Sequence, residues 1–257
     1  MTDARLAFLV AGVQKAGTSA LHDYLSEVRG LQLPSSKELH FFDDERTVDW
    51  SSPDYGPLHA HFAADDRLRG EATPITLYWP QALERVAAYN PAMRLVLLFR
   101  DPVSRAFSHW RMEWARGAER MPFAHAIREG RARMAGSTPV AGFDRVASYV
   151  ERGFYGRQLA RAQRLFGRDQ LLCLAQDELE RDPDAVVGRI CRFLEVAPPA
   201  APLRPRRVRA APAVDYPSVL ESDDVAHLHA CFAAELKRFE SLVDRPADFT
   251  FLSSHQA

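Results

Sequence analysis

Apolar residues run with little interruption through three short segments of the chain. These segments are Leu6–Val13, Met93–Phe99 and Gln170–Ala175. Such runs are typical of strands that lie buried on both faces of a parallel sheet. Apolar positions recur with helical spacing between and after them, which predicts helices over residues 20–28, 102–116, 156–166, 183–194 and 222–242. The alternation of strands and helices predicts a three-layer α/β fold with a central, mostly parallel sheet flanked by helices.

A proline-rich stretch separates the last two predicted helices. Residues 197–217 hold six prolines, a density that breaks helices and strands and predicts an extended loop. The sequence beyond this loop is too short for a second domain. We therefore expect one domain over residues 1–257, with 197–217 as a possible lid over a cofactor, and the alternative is an interdomain linker.

The composition is that of an ordinary globular protein, with 47% hydrophobic and 26% charged residues. The formal net charge is −1. A general nucleic-acid binder would carry a basic excess, so the composition argues against that class. Any affinity for an anionic ligand must therefore come from a local cluster of basic groups rather than from the charge of the whole chain.

Cysteine usage and the N-terminal sequence bear on the compartment. Cys173, Cys191 and Cys231 are widely spaced and form no CxxC pair, so we expect small buried residues rather than metal ligands. The apolar run Leu6–Val13 is too short for a membrane span and lacks the basic leader of a signal peptide. These features predict a cytoplasmic protein with no membrane partner, while the oligomeric state is not readable from the sequence.

A loop rich in small residues, 12–19, joins the first predicted strand to the first predicted helix. Backbone N–H groups and the positive end of the helix converge there, which suits a phosphate-like anion. Gly17 allows close backbone approach, and Thr18 and Ser19 add hydroxyl donors. The nucleotide-hydrolase P-loop, GxxxxGK(S/T), would place a lysine where Thr18 stands, whereas Lys15 comes earlier. The alternative is an ordinary strand-to-helix turn with incidental small residues.

Arg100 follows the second predicted strand, and Ser108 lies about two turns into the next helix, which Asp101 caps. A guanidinium and a hydroxyl at the carboxyl end of a parallel strand can bind a phosphate by charge-assisted hydrogen bonds. The alternative is an exposed Asp101–Arg105 ion pair beside a surface serine, and for Arg105 we prefer this interpretation. A Mg²⁺-dependent kinase would need an acidic residue where Arg100 stands, which weakens the kinase hypothesis.

Five segments, taken in chain order, resemble the sulfotransferases that use 3′-phosphoadenosine 5′-phosphosulfate (PAPS). Lys15–Ser19 is similar to their 5′-phosphosulfate loop, and Arg100–Ser108 is similar to their 3′-phosphate motif. The further matches are residues 37–42, 71–74 and 153–155, the last leading into 181–183. The resemblance spans about residues 8–195. It is strongest to the branch of the family that contains heparan sulfate 3-O-sulfotransferases, N-sulfotransferases and bacterial relatives. It implies a P-loop-like fold.

The resemblance implies roles for particular residues. Lys15 would contact the bridging oxygen and the sulfuryl group, and Glu38 would be the general base, with a solvated loop carboxylate as the alternative. His40 would lie near the acceptor. Tyr155 would line the nucleotide pocket, with a core tyrosine as the alternative. The other cofactor residues implied are Ala16, Gly17, Thr18 and Ser19 at the 5′-phosphate, and Arg100 and Ser108 at the 3′-phosphate.

The chain departs from the family pattern in two places. Ala72 stands where the 3-O-sulfotransferases have a lysine beside the sulfuryl group, which leaves Lys15 as the main nearby cation or requires another donor. The usual Lys-Gly-Arg cofactor loop near the C-terminus is not recognisable. Arg206 and Arg207, in the arginine-rich stretch 203–209, are our candidates for closing over the 3′-phosphate and adenine, with a solvated basic loop as the alternative.

We therefore expect an enzyme that moves a sulfuryl group from PAPS to a hydroxyl or amine, releases 3′-phosphoadenosine 5′-phosphate (PAP) and needs no metal. A saccharide or a natural-product-like small molecule is the favoured acceptor, and O- versus N-sulfation stays open. One alternative is a P-loop kinase that binds ATP with Mg²⁺ and acts on a small molecule. Another is a nucleotide-binding protein of the same fold that has lost its chemistry, which Ala72 supports.

Overall fold

The computed structural model describes residues 5–134, 143–204 and 214–253. Within these ranges, five parallel strands form one sheet. They are β1 (Phe8–Gly12), β2 (Leu31–Gln32), β3 (Leu68–Glu71), β4 (Arg94–Phe99) and β5 (Leu171–Ala175). Their order across the sheet is β2-β3-β1-β4-β5. This all-parallel sheet with flanking helices confirms the predicted α/β class.

The three strands predicted from apolar runs are present as β1, β4 and β5. All five residues of β1 are buried, as expected for a strand with covered faces. The apolar pattern does not predict β2, which has two residues, or β3, which includes Arg69 and Gly70. An added Cβ at Gly70 would lie 2.2 Å from the ring of Phe8, so glycine lets β3 approach β1 closely here.

Helices alternate with the strands. They are α1 (Thr18–Leu25), α2 (Gly56–His59), α3 (Ala82–Tyr89), α4 (Pro102–Ala115), α5 (Phe123–Ala126), α6 (Phe143–Val146), α7 (Tyr155–Leu165), α8 (Gln176–Arg181), α9 (Pro183–Leu194), α10 (Ser222–Leu242) and α11 (Thr250–Ser253). Short 3-10 turns occur at Glu129–Met134, Glu151–Gly153, Arg168–Gln170 and Pro246–Asp248. The bounds of α9 and α10 are those predicted, and α4 and α7 agree to about one residue. The pattern does not predict α3 or the shortest helices.

Two helix starts show how local sequence sets the structure. The Asp101 side chain accepts a hydrogen bond from the Ser104 N–H at 2.7 Å, so it caps α4 as predicted. Helix α1 begins at Thr18, earlier than predicted, because Gly17 lies in the left-handed region with φ 87° and turns the chain directly into the helix. The loop before α1 is therefore shorter and tighter than the hydrophobic pattern indicates.

The chain divides into two compact units. The first comprises Met1–Phe99 and Arg161–Val208 and contains every strand of the described sheet. The second comprises Arg100–Ala160 and Arg209–Ala257, in which α4 and α10 are the long helices. The single domain expected over residues 1–257 stays a prediction. The lid also stays a prediction, because part of 197–217 lies outside the described residues.

Aromatic and arginine side chains fill the core of the second unit. Tyr155 is fully buried and packs against Phe239, with 5.8 Å between their ring centroids. Arg105 is also fully buried, and its guanidinium donates a hydrogen bond to the carbonyl oxygen of Tyr149. The predicted exposed Asp101–Arg105 pair is therefore wrong, because Arg105 satisfies a buried carbonyl instead.

The structure bears on the expected burial of the cysteines and on the expected absence of a membrane span. The cysteines are free thiols, of which Cys191 is buried, as expected, while Cys173 and Cys231 are half-buried. Within the described ranges, no helix has both the length and the apolar character needed to cross a membrane. The cytoplasmic location stays a prediction.

Candidate active site

The phosphate loop, residues 13–17, lies between β1 and α1 at the carboxyl edge of the sheet. The Val13 N–H donates to the carbonyl oxygen of Leu98 at 2.7 Å, which ties the start of the loop to β4. The Ala16 N–H donates back to the Val13 carbonyl oxygen at 3.2 Å and closes a tight turn. Lys15 has a positive φ of 74°. Non-glycine residues in this backbone region are uncommon and cluster at functional sites.

The first turn of α1 completes the predicted anion site. Gly17 precedes it, and an added Cβ would be strained by the φ of 87° while lying 3.7 Å from the side chain of Gln176 on α8. Thr18 and Ser19 are the first two residues of the helix. The N–H groups of a first helical turn have no intrahelical acceptor, and they carry the positive end of the helix dipole. This arrangement suits a phosphate-like anion.

Residues 37–43 form a second loop at the site, which we call the carboxylate loop. The Glu38 N–H donates to the carbonyl oxygen of Ala72 at 3.2 Å, and the His40 N–H donates to Thr73 Oγ1 at 3.3 Å. Ala72 and Thr73 directly follow β3, which pairs with β1. The carboxylate loop therefore packs on the segment that leaves β3, beside the strand that leads into the phosphate loop.

The backbone of the carboxylate loop brings three charged side chains together. Glu38 and His40 both lie in the left-handed region, with φ values of 63° and 55°. Lys37 Nζ is 2.6 Å from Glu38 Oε1, and His40 Nε2 is 3.4 Å from Glu38 Oε2. Both oxygens of the predicted base thus face a basic group. The Glu38 side chain is 33% exposed, so it is both held by its neighbours and open to solvent, and its role as the base stays a prediction.

These neighbours set the charge of Glu38. Burial alone would raise its pKa, but the hydrogen bond with His40 and the ammonium of Lys37 together lower the pKa of Glu38 to about 2. The carboxyl group is therefore ionised at every physiological pH. An ionised carboxylate is the form that can accept a proton from an acceptor hydroxyl or amine.

His40 lies between two carboxylates. Its Nδ1 is 2.9 Å from Oδ2 of Asp43, whose side chain is fully buried, and its Nε2 faces Glu38. The hydrogen bonds with Asp43 and then Glu38 raise the pKa of His40 to about 9 against the opposing effect of burial. His40 is thus an imidazolium at neutral pH. Asp43 orients the His40 ring, and the ring in turn orients Glu38.

Glu71 is a second carboxyl group beneath the carboxylate loop. It is the last residue of β3 and is 1% exposed. Thr73 Oγ1 donates to Glu71 Oε2 at 2.8 Å and accepts from the His40 N–H, so Glu71 is connected to the loop through one hydroxyl. Burial, with the nearby charge of Asp43, raises the pKa of Glu71 to about 7 despite the hydrogen bond from Thr73. The group is poised between its neutral and ionised forms near physiological pH.

A buried ion pair supports the far end of the carboxylate loop. The Arg85 guanidinium binds both carboxylate oxygens of Glu45, at 2.8 and 2.7 Å, and also donates to the carbonyl oxygen of Phe42 at 3.0 Å. The Trp79 ring N–H donates to Glu45 at 3.0 Å. Because Phe42 itself is buried, these contacts fix the chain just before Asp43.

The predicted 3′-phosphate residues belong to the second unit. Arg100 directly follows β4, and Ser108 lies half-buried on α4. The Tyr155 hydroxyl donates to the carbonyl oxygen of Arg100 at 2.8 Å. Tyr155 is a core residue that holds the backbone at Arg100, and its contact with a nucleotide stays a prediction.

The structure groups some predicted residues and leaves others apart. Glu38 and His40 are in direct contact, and Lys15 to Ser19 form one continuous loop and helix start. Arg206 and Arg207 lie outside the described residues, so their cofactor role stays a prediction. Sequence reasoning assigns no role to four residues that complete the site. They are Lys37, Asp43, Glu71 and Thr73, of which all but Asp43 lie inside the quoted motifs, and Asp43 directly follows one.

A parallel sheet whose first strand leads through a tight loop into a helix start defines a P-loop-like α/β protein. The family model described as "Sulfotransferase domain" matches residues 6–207. The chain therefore belongs to the sulfotransferase family.

Named relatives are consistent with this family. The chain is 32% identical over 191 residues to human heparan sulfate glucosamine 3-O-sulfotransferase 6, covering 72% of this chain and 51% of that protein. It is 27% identical over 204 residues to human bifunctional heparan sulfate N-deacetylase/N-sulfotransferase 2, covering 74% of this chain and 22% of the relative. The chain thus spans about half, or less, of the length of these relatives.

A solved structure extends the likeness to nearly the whole chain. The crystal structure of a sulfotransferase from Alicyclobacillus acidocaldarius matches with a TM-score of 0.76 and 28% identity, covering 93% of this chain and 96% of that one. The sulfotransferase domain from the curacin biosynthetic pathway matches with a TM-score of 0.51 at 17% identity, over 75% of this chain and 74% of that one, and supports the fold alone.

Proposed function

We propose that this chain transfers a sulfuryl group from PAPS to an acceptor hydroxyl or amine and releases PAP. Membership of the sulfotransferase family supports the reaction class. The observation that carries the proposal is the held, ionised carboxylate of Glu38 at the same sheet edge as the phosphate loop. A base next to an anion-binding loop is the arrangement that in-line transfer of a charged group requires.

In this proposal the phosphate loop binds the phosphosulfate end of the donor. The N–H groups at the start of α1 and the hydroxyls of Thr18 and Ser19 bind the 5′-phosphate. Lys15 supplies positive charge at the oxygen that bridges phosphorus and sulfur. Arg100 and Ser108, with Tyr155 holding the Arg100 backbone, bind the 3′-phosphate, and Arg206 and Arg207 close over the nucleotide.

The chemical step needs one proton transfer and one displacement. Glu38 accepts the proton of the acceptor hydroxyl or amine, and the freed electron pair of that atom forms the new bond to sulfur. The bond from sulfur to the bridging oxygen breaks, and its electron pair stays on the 5′-phosphate of PAP. Lys15 and the N-terminal turn of α1 stabilise that developing charge, so positive charge from the protein takes the place of a metal ion.

We infer the class of acceptor from the names of the relatives and not from any contact in the structure. Both named human relatives carry heparan sulfate in their names, so we infer a saccharide or another small molecule with a reactive hydroxyl or amine. The exposed fractions of Glu38 and His40, 33% and 44%, allow an acceptor to reach the pair.

A nucleotide titration tests the donor assignment. Calorimetry with purified protein should detect binding of PAP without metal, and ATP with Mg²⁺ should bind far more weakly. The kinase hypothesis predicts the reverse order, and that result would remove the donor assignment. Binding of PAP with no transfer to any acceptor would favour the alternative of a nucleotide-binding protein that has lost its chemistry.

A further inference from the structure

Lysine is rare in this chain, and its placement is informative. The 33 basic residues include three lysines, which are Lys15, Lys37 and Lys237, and the others are arginines. Lys15 lies in the phosphate loop and Lys37 opens the carboxylate loop, while Lys237 is exposed on α10. An ammonium is a compact charge on a flexible stem, whereas a guanidinium is a planar fork. A chain that uses arginine almost everywhere else has lysine in both loops of the site.

Lys37 lies within reach of the reacting atoms. Its Nζ is 2.6 Å from Glu38 Oε1. A base must come within about 2.6–3.2 Å of the atom whose proton it removes, so a nucleophile that approaches Oε1 would lie within about 6 Å of the ammonium. The sulfuryl group bonds to that same nucleophile. The lysine stem is flexible, so its ammonium can turn from Glu38 to an oxygen of a group bound there.

Lys37 and His40 differ in how many of their hydrogen-bond donors the described residues occupy. Within the described parts of the chain, Glu38 takes one of the three donors that an ammonium carries. Both ring nitrogens of His40 face carboxylates, those of Asp43 and Glu38. The side chain of Lys37 is only 16% exposed, so its charge is weakly screened by water. Lys37 is therefore the cation in the carboxylate loop that can turn to an incoming anion.

We propose that Lys37 is a catalytic residue whose ammonium binds an oxygen of the moving sulfuryl group during transfer. This inference rests on the proposed function and adds a second cation to that site, next to the base Glu38. No covalent bond to Lys37 forms or breaks. When its ammonium leaves Glu38 for the sulfuryl oxygen, Glu38 loses a stabilising charge and becomes a stronger base, so donor engagement and proton removal are coupled.

The rival interpretation is that Lys37 only pairs with Glu38. In that case Lys37→Met would leave Glu38 a stronger base, because loss of the ammonium moves its pKa up towards the ordinary value. The rate at pH 8 would then stay the same or rise. If Lys37 binds the sulfuryl group, the rate at pH 8 falls by about 10²-fold, the effect of removing one charge-stabilising donor. The two interpretations therefore predict different rates, since only the catalytic role predicts a loss at pH 8.

Single-turnover transfer from labelled PAPS measures this step directly. The variants are Lys37→Met, Lys37→Arg and the matched control Lys237→Met, each also titrated with PAP and melted to check folding. We expect Lys37→Met to lose about 10²-fold in rate at pH 8 with unchanged PAP affinity, since PAP lacks the sulfuryl group. Lys37→Arg should recover part of the rate, and Lys237→Met should match the wild type.

The outcomes separate this inference from the proposed function. A rate in Lys37→Met that equals or exceeds the wild-type rate, or an equal loss of PAP binding and rate, would overturn the catalytic role of Lys37. If Lys37→Met does not fold, Lys37→Gln takes its place as the uncharged variant, and a folded glutamine variant with a wild-type rate would overturn the role. A wild-type protein that transfers nothing would refute the proposed function and, with it, the catalytic role of Lys37.

Discussion

Among single residues, Lys15 is the one that we expect to stabilise the leaving group of the donor. Lys15→Ala should lower kcat/KM for PAPS by at least about 10²-fold, because the leaving oxygen loses its nearest positive charge. Steady-state kinetics measure this loss, with Lys237→Ala as a control for removing a lysine elsewhere. A rate near that of the wild type would show that the strained backbone at Lys15 serves some other purpose.

Glu38 is the residue that we expect to remove the proton from the acceptor. Glu38→Gln keeps the shape of the side chain but cannot take a proton, so kcat should fall by about 10²–10⁴-fold while PAP binds as in the wild type. Kinetics with isothermal titration of PAP separate the two effects. An unchanged kcat would exclude Glu38 as the base and leave its contacts with Lys37 and His40 purely structural.

At the level of elements, the segment after β3 positions the carboxylate loop. The Thr73 hydroxyl accepts the His40 N–H and donates to Glu71. Thr73→Val keeps the shape of the residue and removes both hydrogen bonds, so kcat should fall by about tenfold, on the order of 1.4 kcal/mol, with little change in PAP affinity. Thr73→Ser should restore the rate. Equal activity of the valine and serine variants would contradict a positioning role for this hydroxyl.

Glu71 links the same element to pH. Its folded pKa of about 7 lies above the usual 4.5. Ionising this buried group therefore costs stability, and the cost is absent below pH 4.5, grows between pH 4.5 and 7, and is complete above pH 7. Glu71→Gln removes the charge, so thermal melting should show a higher melting temperature than the wild type at pH 8.5 and little difference at pH 4.5. The same difference at both pH values would mean that Glu71 does not titrate as described.

Strands and helices were predictable where the hydrophobic pattern alone decides them. Apolar runs indicate β1, β4 and β5 because both faces of these strands are covered. β3 escapes this reasoning, since Arg69 and Gly70 interrupt the pattern and Gly70 is explained only by the ring of Phe8 on the neighbouring strand. The exposed pair predicted for Arg105 failed for a similar reason, because its partner, Tyr149, is distant in sequence.

The site was predictable as far as the motifs reach. Glu38 and His40 follow from the resemblance, but their contact depends on two left-handed backbone conformations that no side-chain pattern reveals. Asp43 stands three residues after His40, and only this folded loop puts the two in hydrogen-bond contact. Lys37 is part of the motif, but its ion pair with Glu38 could not be predicted from the sequence.

For the whole molecule, local charge matters more than the total. The net charge of −1 gives no general attraction for an anionic donor. The first unit instead provides a helix start with Lys15 and a loop that pairs Lys37 and His40 with carboxylates, at one edge of one sheet. The second unit contributes Arg100 and Ser108 in our proposal. The fold of the first unit therefore supplies local basic groups at one sheet edge, which the charge of the whole chain does not.

Transfer of label from PAPS shows whether this chain moves a sulfuryl group. Purified protein is incubated with PAPS carrying a labelled sulfuryl group and a panel of saccharide, amine and small-molecule hydroxyl acceptors, without added metal. We expect at least one product that gains the mass of a single sulfuryl group, equimolar release of PAP, and loss of both signals in Glu38→Gln. Phosphorylated products from ATP with Mg²⁺, and none from PAPS, would contradict it.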